Sequence, residues 1–511
     1  MIQIKNLTLT HKYDLRTILE DFQLVLSPGD KAVIIGEEGN GKSTLMKWIY
    51  CPGLVEDYVE AEGERICRGE RLGYLPQELP DEEKEKSVYE FFCEEELFWE
   101  TDNRELLRLA GELLLPADFF YREQKMETLS GGEKIKAQTA RLLLGKPTVL
   151  LLDEPSNDID IETLQWLETL IQKTSQAVLF ISHDETLIEN TANMVIHLEQ
   201  LRRKSRSRCT VARMGYEEYL TSRNLNFSNQ RRRAENDKRE EKNRQEKLRR
   251  MLQRVDHDLN AVSRQDPHSG YLLKKKMHAV KSMEKRFERE TKDMTALPEE
   301  EEAIFFRFRE DIFLPAGKTV LEYCLPVLET PDGRILARDI SLRIKGAQKV
   351  CIIGKNGAGK TTLLRKIAGE LLERADIRAA YMPQNYEELL ELDQTPVEYL
   401  AFAGDKEEQT RIRTYLGSLK YTAEEMEHSI RALSGGQKAK VFLLKMSLSG
   451  ADVLILDEPT RNFSPLSNPV IREILAGYKG AVLSISHDRK YIAEVCSTVY
   501  ELTEKGLQKI R

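Results

Sequence analysis

A glycine-rich pattern, G-x-x-x-x-G-K-[ST], occurs twice in the chain, as GEEGNGKST at Gly36–Thr44 and as GKNGAGKTT at Gly354–Thr362. Each copy follows a short apolar run, KAVIIG or KVCIIG, which is typical of a buried strand. Glycines let backbone N–H groups close around phosphate oxygens, while the next helix adds its positive end and the lysine contacts the terminal phosphates. The pattern therefore predicts two phosphate-binding loops, each between a strand and a helix.

Further motifs repeat in the same order after each loop. YLPQ, LSGGE, LLLDEP and ISHD of the first half return as YMPQ, LSGGQ, LILDEP and ISHD in the second. Each DEP follows a continuous apolar run, as expected for a strand that is buried on both faces of a mostly parallel sheet. The repeat predicts two α/β domains with the same fold, at 1–222 and 300–511.

The segment between the halves, predicted as a separate domain at 223–299, has a different composition. Asn229–Gln265 contains no Gly or Pro and is rich in Arg, Glu, Lys and Gln, which favours a long helix. A first arm of about 38 residues would be roughly 50–60 Å long. DPHSG at Asp266–Gly270 is a turn signal, and a second helical stretch follows. Apolar residues at spacings of three and four give each helix a thin seam suited to antiparallel packing: Met251, Val255, Leu259 and Val262, then Leu273, Met277, Val280 and Phe287.

The charge of this segment opposes that of the rest of the chain. The net charge is −8, yet Arg231–Asp293 contains 20 Lys/Arg and 12 Asp/Glu, or +8, so the remainder carries −16. A basic helical hairpin on an acidic body is suited to contact RNA phosphates, and LLKKKMH at Leu272–His278 places three lysines close to the turn. The alternative is a solvated coiled-coil face, which runs of charge usually are.

Composition also restricts the location of the protein. No apolar run of about eighteen residues is present, and the N-terminus has no secretory pattern. Seven scattered cysteines without CxxC spacing predict reduced thiols in the cytoplasm, with Cys351 as a small apolar residue in a buried strand.

Carboxylates and histidines follow the remaining apolar runs. In Asp153-Glu154 and Asp457-Glu458, the aspartate suits Mg²⁺ coordination and the glutamate suits polarising a water that attacks a phosphate. The histidine of each ISHD motif is predicted to contact phosphate, and each Ser-Gly-Gly ahead of a helix offers donors to an anion. The predicted catalytic residues are Glu154, Glu458, His183 and His487.

With Gln77 and Gln384, these motifs closely resemble the ATPase domain of the ATP-binding cassette superfamily. The resemblance implies that ATP and Mg²⁺ bind between two domains, with Ser434–Gly436 completing the site built on Lys42 and Ser130–Gly132 the site built on Lys360. The implied nucleotide-binding residues are Gly36, Gly39, Gly41, Lys42, Ser43, Thr44, Gln77, Ser130, Gly131, Gly132, Gly354, Gly357, Gly359, Lys360, Thr361, Thr362, Gln384, Ser434, Gly435 and Gly436, with Tyr13 for adenine stacking. The implied metal ligands are Ser43, Asp153, Gln77, Thr361, Asp457 and Gln384.

The whole chain resembles the ABC-F group, in which a charged helical linker joins two cassettes; GYEEYL at Gly215–Leu220 matches the usual end of the first cassette. This implies an α/β fold of two P-loop cassette domains and an antiparallel α-helical hairpin, as a monomer with an intramolecular cassette dimer. It also implies binding to the ribosome, at 23S rRNA between the tRNA exit site and the peptidyl-transferase region, with P-site tRNA as a further partner.

DEPTRNFSPLSNPVIR is similar to the Gram-positive resistance-associated subset, which favours protection against lincosamides, pleuromutilins and streptogramin A. Ser464 stands where the first half has Asp160, so we expect inequivalent ATP sites. Pro331 stands in the register of Tyr13, which leaves the second stacking residue unassigned. The alternatives are a translation factor without a drug role, or the duplicated ATPase subunit of a membrane transporter, although such motors lack a basic hairpin between cassettes.

Overall fold

The structure is a computed structural model that describes residues 1–201, 206–261, 267–292, 308, 312–330, 333–402, 404–419 and 421–511. The described elements of the first half are β1 (Ile2–His11), β2 (Thr17–Leu26), β3 (Lys31–Ile35), α1 (Lys42–Tyr50), β4 (Val59–Ile66), β5 (Leu72–Leu75), α2 (Asp81–Lys84), α3 (Val88–Cys93), α4 (Glu96–Glu100), α5 (Asn103–Glu112), α6 (Gly131–Leu144), β6 (Val149–Asp153), α7 (Ile161–Lys173), β7 (Ala177–Ile181), α8 (Glu185–Thr191), β8 (Met194–Leu201) and β9 (Arg206–Ala212).

The second half repeats this order after the linker helices. The linker contains α9 (Tyr216–Ala261) and α10 (Pro267–Lys292). The described elements of the second half are β10 (Thr319–Glu329), β11 (Ile335–Lys345), β12 (Lys349–Ile353), α11 (Lys360–Glu373), β13 (Ala379–Met382), α12 (Pro396–Leu400), α13 (Lys406–Ser418), α14 (Ala423–Glu427), α15 (Gly435–Ser449), β14 (Val453–Asp457), α16 (Asn468–Gly477), β15 (Ala481–Ile485), α17 (Arg489–Glu494), β16 (Thr498–Thr503) and β17 (Gly506–Lys509).

Each half is built on a six-stranded sheet of the same topology. The strand orders are β5-β6-β7-β3-β8-β9 and β13-β14-β15-β12-β16-β17. All neighbours are parallel except the last pair of each sheet, which is antiparallel. Every residue of β3, β6 and β7 is buried, as the continuous apolar runs predict. The duplicated α/β fold is therefore confirmed.

Smaller antiparallel sheets, β2-β1-β4 and β10-β11, pack on these central sheets. Ile4, Leu24 and Ile34 belong to one apolar core of the first half, and Leu321, Leu342 and Ile352 to the equivalent core of the second. Cys351 is fully buried on β12 as expected, and all seven cysteines are free thiols. Among the described residues, none of the helices combines the length and the apolar composition needed to cross a membrane.

The linker is helical as predicted, but two details differ from the expectation. Helix α9 has 46 residues, about 70 Å at 1.5 Å per residue, because it begins at Tyr216. The turn predicted at Asp266–Gly270 is wrong for its last four residues, which lie in α10; the helix begins at Pro267, where a proline loses no intrahelical hydrogen bond.

The seam residues are only partly described. Val280 is buried and Met251, Val255 and Met277 are half-buried, whereas the side chains of Leu259, Leu273 and Phe287, and the whole of Val262, lie outside the described residues. The chain divides into two compact units, one formed by Met1–Tyr216 with Glu301–Arg511 and the other by Glu217–Glu300. Both α/β halves thus belong to one compact unit.

Candidate active sites

Each glycine-rich loop connects a buried strand to a helix, β3 to α1 and β12 to α11. Gly36 and Gly41 have φ angles of 145° and 83°. A Cβ at these positions would lie 2.3 Å from the carbonyl oxygen of Leu198 and 2.1 Å from Cγ2 of Ile18. Because neither position has room for a side chain, backbone amides line the loop, and such a concave loop suits a phosphate group.

Lys42 and Lys360 are the first residues of the helices that follow the loops, and both are buried. The Nζ atom of each lysine donates to two carbonyl oxygens of its own loop, at 2.8 and 3.1 Å for Lys42 and at 2.8 and 3.0 Å for Lys360. Burial lowers the pKa of Lys360. Phosphate oxygens are stronger acceptors than these carbonyls, so both ammonium groups are placed for a polyphosphate.

An aspartate and a hydroxyl lie together at the end of the strand in each half. Asp153 accepts hydrogen bonds from Ser43 Oγ at 2.9 Å and from the Tyr74 hydroxyl at 3.2 Å, and burial raises its pKa to about 6. Thr361 makes the equivalent contact with Asp457, whose pKa burial also raises. Oδ2 of Asp457 is buried and has no hydrogen-bond partner among the described residues.

These hydroxyl and carboxylate oxygens fit a small hard cation such as Mg²⁺. Within the described part of the chain, three or more His, Cys, Asp or Glu side chains do not gather at any point where they could hold a metal ion by themselves. The donor set thus suits a cation that takes its other ligands from phosphates and water, as Mg²⁺ usually does at nucleotide sites.

Glu154 is held by three side chains of its own half. Its Oε2 accepts hydrogen bonds from Gln77 Nε2 at 3.0 Å and from Asn157 Nδ2 at 2.6 Å, and its Oε1 lies 3.3 Å from His183 Nε2. Burial raises the pKa of Glu154, but the contacts with His183 and Lys42 outweigh it and bring the pKa to about 2. Glu154 is therefore an ionised and oriented carboxylate.

Glu458 occupies the same position in the second half, but its surroundings differ. Its Oε1 lies 3.8 Å from His487 Nε2, and its Oε2 accepts a hydrogen bond from the His487 backbone N–H at 3.2 Å. Burial and the charge of Asp457 raise the pKa of Glu458 to about 8. Burial and Lys360 lower the pKa of His487 to about 4. The surroundings thus shift the pKa values of the two carboxylates in opposite directions.

Each Ser-Gly-Gly motif begins a helix and lies beside the loop of the opposite half. Ser130 and Ser434 are the N-caps of α6 and α15. Gly436 donates its backbone N–H to the carboxylate of Glu38, in the loop that contains Lys42. Ser130 lines a cavity of about 790 Å³ together with Lys360. The structure thus brings together the pairs of motifs that the resemblance implies.

The halves also meet through the turns that follow the DEP motifs. Oδ2 of Asp160 accepts a hydrogen bond from the Asn356 backbone N–H at 3.3 Å. Ser464, in the equivalent position, instead donates its hydroxyl to Glu37. The Ser467 N–H donates a hydrogen bond to the Ser464 carbonyl oxygen at 2.9 Å and closes a turn that precedes α16. In the first half, α7 begins directly after Asp160, without such a turn. The two sites are therefore structurally inequivalent, as the substitution indicates.

Gln384 and Tyr13 lie in surroundings that their motifs do not predict. Gln384 donates to Oδ1 of Asp158, in the opposite half, at 3.3 Å, whereas Gln77 contacts Glu154 of its own half. Tyr13 is 82% exposed and contacts the ring of His11, with centroids 5.5 Å apart. Pro331 lies outside the described residues, but Thr330, Arg334 and Leu336 line the cavity at Lys360.

Several residues at the contact between the halves belong to none of the predicted sets of site residues. Arg461 forms an ion pair with Asp158 at 2.7 Å across the halves, and Nδ1 of His183 lies 2.7 Å from the carbonyl oxygen of Phe463. Glu37 and Glu38 occupy variable positions of the glycine-rich pattern, so the pattern itself assigns them no role. Only the charge of these two residues could have indicated a role for them, because two carboxylates in an anion-binding loop are unfavourable without partners.

The model of the ABC transporter family matches residues 19–157 and 337–461, which together make up half of the chain. Ribosome protection protein VmlR of Bacillus subtilis is 28% identical to the chain, over 97% of the chain and 85% of VmlR. ABC transporter F family member 2 of Arabidopsis thaliana is 24% identical, over 99% of the chain and 77% of that protein.

A solved structure with the same fold is that of an archaeal ribosome recycling factor, aABCE1, in complex with the ribosomal stalk protein aP1. It superposes with a TM-score of 0.60 at 17% sequence identity, over 99% of this chain and 90% of that one. The agreement at this low identity shows that the twin-cassette architecture is shared.

Proposed function

The chain belongs to the ABC transporter family, within which it is an ABC-F ATPase, and we propose that it binds the ribosome and inserts its linker near the peptidyl-transferase centre. The charge distribution carries this proposal, because a +8 segment in a chain of net charge −8 is suited to RNA phosphates. The similarity to VmlR, a ribosome protection protein, supports the same partner.

The residues of both sites suit phosphoryl transfer to water. The loop amides with Lys42 or Lys360 would hold the phosphates of ATP. Glu154 would orient the attacking water and accept its proton, and Glu458 would do the same in its ionised form. His183 and His487 position these carboxylates through the contacts described above. Mg²⁺, which neutralises charge on the phosphates when bound, would be held by Ser43, Asp153 and Gln77 in one site and by Thr361, Asp457 and Gln384 in the other.

Hydrolysis at the composite sites would control how long the protein stays on the ribosome. Each site needs residues of both halves, so bound ATP favours their association and its hydrolysis favours release. In the proposed complex, the linker contacts 23S rRNA between the tRNA exit site and the peptidyl-transferase region, and also P-site tRNA. Its proposed purpose is protection against lincosamides, pleuromutilins or streptogramin A, and the similarity to VmlR, a ribosome protection protein, supports a protective role.

A double Glu154→Gln, Glu458→Gln variant tests the proposal. It should bind ATP, fail to hydrolyse it and co-sediment with purified ribosomes at moderate salt, because the carboxylates that activate water are gone while the phosphate contacts remain. A Lys42→Ala, Lys360→Ala variant, which lacks the phosphate ligands, is the matched control and should not be retained.

Co-sedimentation distinguishes one alternative from the proposal, and drug susceptibility distinguishes the other. The ATPase subunit of a membrane transporter would sediment with membrane vesicles and not with ribosomes, which would contradict the proposal. A translation factor without a drug role would be retained on ribosomes, but its expression would leave susceptibility to the three drug classes unchanged.

A further inference from the structure

The two phosphate-binding loops differ in charge at two adjacent positions. The loop of the Lys42 site has Glu37 and Glu38 where the loop of the Lys360 site has Lys355 and Asn356. Each of these side chains, or its backbone, contacts the opposite half of the compact body. The difference therefore lies on the surface where a nucleotide would be enclosed.

Glu38 places its carboxylate on the start of helix α15. Its Oε2 accepts a hydrogen bond from the backbone N–H of Gly436. A Cβ at Gly435 or Gly436 would lie 3.3 or 3.2 Å from the same oxygen, so the carboxylate lies directly against the Ser-Gly-Gly motif. The first amides of a helix of 15 residues bind anions favourably, and here the anion is a side chain of the opposite loop.

Glu37 adds a second negative charge at the same boundary. Its Oε1 accepts hydrogen bonds from the hydroxyls of Ser464 and Ser467, the latter at 2.6 Å, and its Oε2 lies 3.4 Å from Nζ of Lys440. Burial raises the pKa of Glu37, but Lys440 and the two serine hydroxyls outweigh it, and the pKa is about 2. The carboxylate of Glu37 is thus ionised and held in place.

The loop of the Lys360 site presents an amide at the position of Glu38. Asn356 donates its Nδ2 to the carbonyl oxygen of Asp158 at 2.6 Å. Lys355 is paired with Glu162 at 2.9 Å. Ser130 and Gly131 line the cavity beside this loop. The start of α6 thus faces an amide and a cavity, whereas the start of α15 faces a carboxylate.

We propose that Glu38 is a specificity-determining residue that makes the Lys42 site discriminate against the terminal phosphate of a nucleoside triphosphate. The inference rests on the proposed function, in which both sites bind adenine nucleotides between a loop and a Ser-Gly-Gly motif. The carboxylate takes the Gly436 N–H that a terminal phosphate would need, and its charge repels that phosphate. A nucleoside diphosphate lacks this group and avoids the conflict.

Nucleotide affinity measured one site at a time tests this inference. Full-length Lys360→Ala, Glu154→Gln protein confines tight binding to the Lys42 site and blocks hydrolysis there, and fluorescent N-methylanthraniloyl derivatives of ATP and ADP serve as probes. We expect ADP to bind at least as tightly as ATP. Adding Glu38→Asn, the residue of the opposite loop, should tighten ATP binding at least tenfold and change ADP binding less than twofold.

The reciprocal variant is the matched control, and it also tests the inference if the Glu38→Asn protein does not fold. In a Lys42→Ala, Glu458→Gln background, Asn356→Glu should weaken ATP binding at the Lys360 site at least tenfold and leave ADP binding within twofold. An ATP-to-ADP affinity ratio at the Lys42 site that Glu38→Asn leaves unchanged would overturn the inference.

The outcomes separate this inference from the proposed function. Co-sedimentation with ribosomes is measured independently, so retention of the double glutamine variant together with an unchanged affinity ratio would reject only the role of Glu38. Absence of nucleotide binding at both sites would reject the proposed function and this inference with it.

Discussion

Ion pairs join the two halves, and in the buried pairs the acidic residue belongs to the first half and the arginine to the second. Arg472 of α16 contacts Glu185 of α8 through both terminal nitrogens, at 2.5 and 3.1 Å. Both side chains are 4% exposed. Arg489 of α17 similarly pairs with Glu168 of α7 at 2.6 Å. A buried charge that loses its partner is costly, so these pairs specify how the halves associate.

Removal of one buried partner should be far more destabilising than removal of an exposed one. We expect Arg472→Ala to lower the free energy of unfolding by about 3 kcal/mol, because buried Glu185 would keep only Lys490, at 3.4 Å, as an ionic partner. Urea denaturation followed by fluorescence measures the change.

The matched control for this measurement is Arg378→Ala, which removes an exposed partner of Asp452 and should cost less than about 1 kcal/mol. A double Arg472→Ala, Glu185→Gln variant should recover part of the loss. Equal effects of the two single arginine variants would contradict the importance of burial.

Helix α9 is long and highly charged, and exposed ion pairs contribute to its stability. Its exposed face has Arg–Glu pairs four residues apart, such as Arg231 with Glu235 at 3.1 Å and Glu240 with Arg244 at 3.2 Å. Each such pair stabilises a helix by about 0.2–0.5 kcal/mol. A charged sequence without glycine or proline can therefore maintain 46 helical residues on a thin seam.

The start of α10 can be replaced without substituting any of the predicted nucleotide-site residues. We expect a Gly-Ser sequence of equal length in place of Asp266–Leu273 to leave ATP turnover unchanged and to abolish drug protection, because it removes the first turns of α10. Turnover by phosphate release and drug susceptibility of expressing cells are the two measurements.

A helical, alanine-rich replacement of the same eight residues distinguishes shape from side-chain chemistry in this test. Loss of protection with this control as well would assign the effect to the side chains. Survival of protection in the Gly-Ser variant would instead show that the linker is only a spacer.

For the whole molecule, the separation of charge predicts how binding responds to salt. Arg231–Asp293 carries +8 against −16 for the rest of the chain. Lysine contacts with phosphates release counterions, so affinity falls as ionic strength rises. Each contact adds about 0.7–0.9 to the magnitude of the slope of log affinity against log salt concentration. In the proposed ribosome complex, this basic segment is therefore the expected site of contact with RNA.

Neutralising exposed lysines of α10 should reduce this dependence on salt. We expect Lys275→Gln with Lys276→Gln to weaken ribosome binding and to lower the slope of log affinity against log salt by about 1.5. Co-sedimentation at several potassium concentrations measures the slope.

The matched control for the salt measurement is Lys505→Gln with Lys509→Gln, which neutralises two exposed lysines of the second half and should leave the slope unchanged. A larger effect of this control than of the α10 variant would contradict the proposal that the linker contacts RNA.

The sequence determined the elements and the kind of site. Apolar runs predicted β3, β6 and β7, and each Ser-Gly-Gly was expected ahead of a helix, where the structure makes its serine the N-cap of α6 or α15. These predictions hold because strand burial and helix capping depend on residues that are close along the chain. The error at Pro267 has a local cause too, since the same residue favours a turn or the first position of a helix.

Only the tertiary structure decided which side chains meet and in which charge state. Glu38 and Gly436 are 398 residues apart, and no spacing rule relates them. The pKa values of Glu154 and Glu458, about 2 and about 8, differ although both follow the same motif. Hydrogen bonds and Coulomb interactions change within a few ångströms, so they depend on how the two halves pack together, which a local sequence pattern does not encode.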